Sequence, residues 1–417
     1  MLHLSAATIG HNSGKDMQQH DPITISFNRK QTAENRWFYV AATELKATGG
    51  YSTHITEVCR VLARFRPTTL LAPTPPAKPV PHLSFHRIAL PQHPPREIIF
   101  QMRVARTVGT FARAYRPRIL YSRAASFNLG VLLAARMLHI PVVLEMNGIP
   151  ALEYSLEHQG SSAQARALFY MLMERMEHRL ASGVVVVTPQ LGKYARRNGA
   201  RHVHLTLNGV DPAAFIPQKR LAARQALGLP EDAEVVGYVG TFSQWQGLET
   251  LIAGARLLAP HRPQLRLYLI GDGPEKERLR TLAAPLGNQV HFAGRIHHDT
   301  VAQALSACDV LAAPFAPIKR NLRMGISALK LGEYMGIGRP ILGSRLSGME
   351  FVEEEQIGAL FEPGSAVSLA QHLEYLLDLP LEQQVVIGQN ARRLAETTFS
   401  WEQVVDRLTT FCEGLPH

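Results

Sequence analysis

Short β-rich runs alternate with longer amphipathic stretches along this chain, and the scheme occurs twice. In the first half the strand runs fall at 37–42, 68–72, 85–90, 118–121, 142–146 and 183–187. Helical periodicity occupies 52–65, 96–115, 127–138 and 163–181. The second half has strand runs at 235–239, 265–270, 290–292, 310–313, 340–342 and 359–361. Runs such as VVVV and LYLI lack period-two alternation, which predicts strands buried on both faces. Such βα alternation implies parallel sheets with right-handed crossovers. The predicted class is α/β, with two doubly wound, Rossmann-like domains facing a cleft, and 417 residues suffice for both. The boundary falls near 211–232, after the turn signal Asn208-Gly209, giving a first domain at 35–212 and a second at 213–417. A last helix at about 401–413 is available to pack back on the first domain. Ligands of such sheets bind beyond the carboxyl ends of the strands, so the cleft is the default site.

Composition narrows the function. Residues 1–34 are polar, with neither a basic start nor an apolar core segment, which predicts a disordered tail rather than a signal peptide. The apolar stretch 129–146 is interrupted by Arg136, His139 and Pro141, so no membrane span is expected. Cys59, Cys308 and Cys412 lie far apart, which argues against a disulfide framework and fits a reducing, cytoplasmic setting. Residues 73–95 hold eight prolines and read as a loop. The net charge is +10 and unevenly spread. Residues 1–210 carry 25 Lys+Arg against 11 Asp+Glu, and the remainder 19 against 23. A basic first half suggests an anionic partner: nucleic acid, lipid headgroups or a phosphorylated substrate.

Three glycine-rich turns follow strand runs. Gly49-Gly50 precedes a helix, where the chain permits close approach and free N–H groups favour an anion. A tight strand–helix turn accounts for those two residues equally well. The turn 271–274, GDGP, reads as structural. The segment 324–340, MGISALKLGEYMGIGRP, is more informative. Lys330 and Glu333 are three apart and share one helix face. A cation near a helix N-terminus neutralises phosphate, and a carboxylate one turn on accepts both hydroxyls of a ribose. A solvated Lys–Glu pair is commoner, but the flanks here are apolar.

With these blocks assembled, the chain resembles the retaining nucleotide-sugar glycosyltransferases of family four, which have the GT-B fold. The matching pieces are Gly49-Gly50, Asn208-Gly209-Val210-Asp211, Gly240-Thr241-Phe242, LYLIGDGPEKERL, VHFAGRI, ACDVLAAPF and SALKLGEYMGIGRPIL. The likeness covers about residues 36–400. In the first half it is mostly one of layout, with LYSRAASFNLG and VVLEMNG as the best pieces. The resemblance implies a nucleotide-sugar donor held by the second domain and a saccharide or lipid-linked acceptor on the first. Glu333 matches the ribose carboxylate, and Lys330 the diphosphate cation of the S-x-L-K-x-x-E-Y-M variant. Arg295 and Ile296 would meet the nucleobase through their backbone, and Gly49 and Gly50 the diphosphate. Met324, Gly325, Ile326 and Ser327 would face the donor sugar.

Departures from the family pattern are specific. Gly325 stands where many members have Glu. Thr241 and Gln246 stand where many have Arg and Lys. Asn147 stands where many have a possible catalytic His. Lys330 is then expected to carry more of the leaving-group charge, with help from Lys319, Arg320 or Arg323. The family's same-face attack, with the leaving phosphate accepting the acceptor's proton, needs no protein nucleophile. No metal or other cofactor is expected, because cations and helix N-termini serve the diphosphate. His297-His298-Asp299 reads as a polar helix start, since adjacent residues there cannot all face one ion.

One further helix is singled out by charge. Arg96, Arg103, Arg106 and Arg113 fall within a sector of roughly 100° on the 96–115 helix. A solvated face has the higher base rate. The functional alternative is a peripheral contact with an anionic membrane. No nucleic-acid motif accompanies the charge, so nucleic acid is not expected as a partner. The departures also keep open a catalytically silent relative that acts as a binding partner.

Overall fold

A computed structural model describes residues 35–45, 49–92, 96–115, 117–123 and 128–416. The tail at 1–34 and Phe127, read as the start of a helix, lie outside the described residues. Seven strands build a first parallel sheet: β1 (Trp37–Ala41), β2 (Thr68–Ala72), β3 (Leu83–Arg87), β4 (Ile119–Arg123), β5 (Val142–Met146), β6 (Gly183–Val186) and β7 (Val203–Leu205). Their order is β3-β2-β1-β4-β5-β6-β7. Six more build a second: β8 (Glu234–Val239), β9 (Leu265–Ile270), β10 (Val290–Gly294), β11 (Val310–Ala313), β12 (Ile341–Ser344) and β13 (Gly358–Phe361). These run in the order β10-β9-β8-β11-β12-β13. Both sheets reverse their winding beside the first strand, at β1/β4 and at β8/β11. The crevice at such a switch point is where open α/β sheets bind ligands.

The apolar runs do what their burial requires. β1, β2, β4, β5 and β6 are buried at every position, covered by helices on both faces. The strand read at 85–90 is centred earlier, within the Pro-rich segment, where Leu83–Arg87 pairs with β2 at the sheet edge. The short edge strand β7 was not anticipated. The segment 211–232 contains a further helix, Arg220–Leu227, whose Arg224 is bonded to Asp309 beside β11.

The chain crosses between the sheets twice, side by side. Val210 N–H donates to the Phe399 carbonyl at 2.8 Å, and Trp401 N–H to the Val210 carbonyl at 3.1 Å. The returning helix, Trp401–Glu413, starts at Ser400, whose hydroxyl accepts the Gln403 N–H. Trp401, Val404, Val405, Leu408 and Cys412 form its apolar stripe and pack with Trp37, Tyr39 and Ile55. This C-terminal helix therefore closes the core of the first sheet. All three cysteines are buried and unpaired. Among the described residues no helix is long and apolar enough to cross a membrane.

Candidate functional site

The two switch points meet across the cleft. Gly49 caps the helix Gly50–Phe65 with φ 133°, a conformation that L side chains rarely adopt. A Cβ on Gly50 would lie 3.5 Å from Leu329 Cδ1, at the first residue of the helix Leu329–Ile337. Two helix N-termini thus approach one another, one from each sheet. Their unsatisfied N–H groups and positive dipole ends favour an anion between them.

Lys330 supplies a cation behind this junction. Its side chain is 7% exposed. Nζ donates to Gln246 Oε1 at 2.8 Å and lies 3.8 Å above the Tyr238 ring. A Cβ on Gly240 would come within 2.7 Å of Nζ, so the glycine after β8 makes room for the ammonium. Burial holds Lys330 well below the ordinary lysine range, with Glu333 pulling the other way. Glu333 is half-buried and has no hydrogen-bond partner among the described residues. Burial pushes its carboxyl up to about 7, against the pull of Lys330.

A pH dependence follows. Below about 7 the Glu333 carboxyl holds its proton, and above it the carboxylate can accept two hydroxyls. Nucleoside diphosphate binding is therefore expected to tighten as pH rises from 6 to 8. Calorimetric titration of wild type and Glu333→Gln checks this. The Gln variant is expected to lack that limb.

The remaining expected residues fall into two groups. Gln246 is 4% exposed and occupied by Lys330, so it acts through that lysine. The side chain of Thr241 is exposed, while its carbonyl accepts the Tyr238 hydroxyl. Arg295 is exposed beyond β10, and Ile296 packs against the second core. All four residues of 324–327 line a small cavity between the two sheets. Met324 lies in the core of the first sheet and Ile326 in that of the second. Gly325 has φ 73°, and a Cβ there would lie 2.8 Å from the Ser347 carbonyl oxygen. A side chain at 325 does not fit this backbone. Ser327 alone of the four keeps a partly exposed side chain.

Asn147 lies where two cavities meet. One, of about 60 Å³, is lined by Asn147 and Thr188 from the first sheet and by Trp245, Arg320, Gly325 and Ser327 from the second. The other, of about 410 Å³, lies within the first sheet's half and is lined by Tyr51, Arg123, Asn147, Glu153, Tyr154 and Arg166, among others. Of the three loop cations considered, Arg320 lines the smaller cavity. Its guanidinium lies 4.8 Å above the Trp245 ring and 3.8 Å from Glu153. Lys319 and Arg323 are exposed and line neither cavity.

Two features gave no signal in the sequence. Tyr51, the pair Glu153-Tyr154 and Arg166 come from three separated stretches of the chain. Glu145, at the end of β5, receives the hydroxyls of Tyr39 and Tyr121, the Arg123 guanidinium, the Asn147 amide and His54. Among the described residues no group of three His, Cys, Asp or Glu is placed to hold a metal ion. Arg96, Arg103, Arg106 and Arg113 are all exposed on the helix Arg96–Tyr115 and line neither cavity. Arg96 donates to the Gln92 carbonyl and Arg103 to the Ala89 carbonyl, so both also hold the Pro-rich segment.

A family model described as glycosyl transferase 4-like domain matches residues 49–211. A second, glycosyl transferases group 1, matches residues 233–379. The sulfoquinovosyl transferase SQD2 of Arabidopsis thaliana is 27% identical over 315 residues, spanning 73% of this chain and 58% of that protein. The GDP-mannose-dependent monoacylated alpha-(1-6)-phosphatidylinositol monomannoside mannosyltransferase of Corynebacterium glutamicum is 26% identical over 216 residues, or 50% of this chain and 55% of that protein. The chain spans about half the length of the curated relatives it matches. Among solved structures, Anabaena HepE in complex with UDP and glucose superposes with a TM-score of 0.69 at 20% identity, covering 92% of this chain and 100% of that one. That likeness establishes the two-domain GT-B fold.

Proposed function

The chain belongs to the group 1, family-four-like glycosyltransferases of GT-B fold, and from that premise we propose that it moves a sugar from a nucleoside-diphosphate donor to a saccharide or lipid-linked acceptor with retention of configuration. We assign the donor to residues 213–417 and the acceptor to 35–212. The observation that carries this is the meeting of two helix N-termini at Gly50 and Leu329, with Lys330 and Glu333 behind them. Glu333 accepts the ribose hydroxyls. The converging N–H groups and Lys330 hold the diphosphate. As the sugar becomes oxocarbenium-like, negative charge collects on the leaving phosphate, where fixed donors lower the barrier. Asn147, between the two cavities, orients the acceptor hydroxyl against the donor sugar. The leaving phosphate takes the acceptor's proton.

The test is a thermal-shift screen of nucleotide sugars, followed by a donor-hydrolysis assay. A donor at a hundred times its dissociation constant adds about 2.7 kcal/mol of stability. Hydrolysis of the donor that shifts the transition supports the enzyme. Binding without hydrolysis or transfer makes the chain a silent relative, and no shift with any nucleotide sugar sinks the donor assignment.

The acceptor is proposed to be lipid-linked and met at the cytoplasmic face of an anionic membrane. The helix bearing the four arginines begins at the mouth of the larger cavity, which Glu97 also lines. Ile98 and Met102 are exposed beside them, and Met137 on the neighbouring helix Leu129–Leu138 is 80% exposed. Exposed apolar and basic side chains on these two helices suit lipid tails and headgroups together. Each arginine near an anionic leaflet contributes about 1 kcal/mol. Sedimentation with anionic vesicles is expected to fall steeply with salt and to be largely lost when all four arginines become Gln. Equal partitioning onto neutral and anionic vesicles would leave this helix a solvated face.

A further inference from the structure

The cavity of about 60 Å³ between the two sheets carries a single sign of charge. Among the described residues that line it, Arg320 alone is ionisable. Two of its neutral polar side chains have their protons committed elsewhere. The Thr188 hydroxyl donates to the Met324 carbonyl, and the Asn147 amide donates to Glu145 Oε1 at 2.6 Å. The Ser327 hydroxyl accepts from Asn208 at 3.0 Å and keeps its own proton to donate.

Arg320 is held in place by its surroundings. Its guanidinium lies over Trp245, and Trp245 stacks on the buried Phe315 with ring centroids 5.9 Å apart and planes 7° from parallel. Arg320 Nη1 donates to Asn321 Oδ1 at 3.3 Å. The buried Asn321 amide donates in turn to the Trp245 and Ala316 carbonyls, each at 2.8 Å. One asparagine thus fixes both the indole platform and the cation above it. Glu153 is the carboxylate within 4 Å of Arg320 among the described residues, and it is loosely placed. Their 3.8 Å separation exceeds the roughly 2.7–2.9 Å of a charge-assisted hydrogen bond. Burial pushes the Glu153 carboxyl up, against the pull of Arg320. The guanidinium is therefore prearranged, partly exposed, and not fully matched by a counter-charge.

Position indicates what the cation meets. Residues 324–328 line the cavity and run directly into the helix Leu329–Ile337, whose N-terminus faces that of Gly50–Phe65. A diphosphate at that junction brings the sugar it carries to the mouth of the cavity. A space of about 60 Å³ holds a few non-hydrogen atoms rather than a pyranose ring, so a substituent of the sugar enters it.

We propose that this cavity receives the carboxylate of the donor sugar, and that Arg320 selects a hexuronate over a neutral hexose. The inference rests on the donor site proposed above and names the class of sugar it takes. A planar guanidinium presents two parallel N–H groups to the two oxygens of a carboxylate, a match that a hydroxymethyl group cannot make. A hexuronate also adds a negative charge close to the diphosphate, which a site lacking a fixed cation would reject.

Isothermal titration of the full chain with UDP, UDP-glucose and UDP-glucuronate, and with GDP, GDP-mannose and GDP-mannuronate, reads the subsite. On the nucleotide that binds, the hexuronate is expected to bind at least about tenfold more tightly than the hexose, the scale of one charged hydrogen bond. Arg320→Gln is expected to abolish that margin, while the bare nucleotide binds the variant as it binds wild type. Equal affinity for hexose and hexuronate in wild type overturns the inference, and so does a margin that survives Arg320→Gln. An equal fall for bare nucleotide, hexose and hexuronate puts Arg320 on the diphosphate and also overturns it. In each of these cases the nucleotide still binds wild type, and the donor site stands. Absence of binding by either nucleotide sinks the donor site and this subsite together.

Discussion

Lys330→Met is expected to cut turnover about 10² to 10³-fold while leaving the melting temperature unchanged or higher. The two signs come from one cause. A leaving diphosphate needs fixed positive charge, and the loss of one such donor costs about 2.7–4 kcal/mol of transition-state stabilisation. Thr241 and Gln246 bring no charge of their own, so Lys330 carries more of that load than it would beside two further cations. The same ammonium is a burden to the fold. Its pKa lies well below the ordinary lysine value because burial disfavours the charged form. The unfolded chain therefore binds the proton more tightly, and stability rises with pH between the folded and unfolded values. At neutral pH that cost is present, and methionine removes it at similar volume. The hydrogen bond to Gln246 and the contact with Tyr238 return part of it, which sets the lower bound at no change. Steady-state kinetics with the donor found by the screen, together with calorimetry, check both signs. Near-wild-type turnover in a folded variant would remove Lys330 from the phosphate site. Glu333→Ala is expected to raise the donor KM more than it lowers kcat, since a ribose contact is made equally in ground and transition states.

The architecture could be read from the sequence because strands buried on both faces leave an unbroken apolar run, as at 184–187 and 267–270. The edge strand β7 could not, because two half-exposed residues and one exposed residue carry no such run. The site was legible where it is local. Gly49-Gly50 and the Lys330–Glu333 spacing each lie within one turn of helix. What stayed hidden depends on which strands become neighbours. The order β1-β4-β5 puts Tyr39 opposite Tyr121 and Arg123 opposite Glu145. Nothing in the sequence around any one of the four residues reports the other three. Met324 is a further case: its side chain crosses to the first sheet's core, which nothing in the loop around it reports.

Glu145→Ala is expected to destabilise the first domain by about 3–5 kcal/mol, the cost of removing one partner from a buried ionic group. The carboxylate is 1% exposed and receives three donors on Oε1 and two on Oε2. Without it, Arg123 remains as a buried cation with no counter-charge, and His54 and the tyrosine hydroxyls lose their acceptor. The melting transition is expected to fall by about 10 °C, at roughly 2–4 °C per kcal/mol for a domain of this size. Gln is expected to cost nearly as much, because it accepts at one atom only and brings an N–H toward groups that also donate. Acid behaves like the mutation. Burial alone would raise the Glu145 pKa, but His54, Arg123 and the hydrogen bonds to it outweigh burial and hold it far below the usual range. The stability it contributes is therefore complete above the unfolded value of about 4.5 and is lost progressively as pH falls below it. The double variant Glu145→Leu/Arg123→Met separates charge from packing. It removes carboxylate and guanidinium together, so recovery of a substantial part of the loss would attribute the Ala result to stranded charge. Full additivity of the two substitutions would attribute it to packing alone.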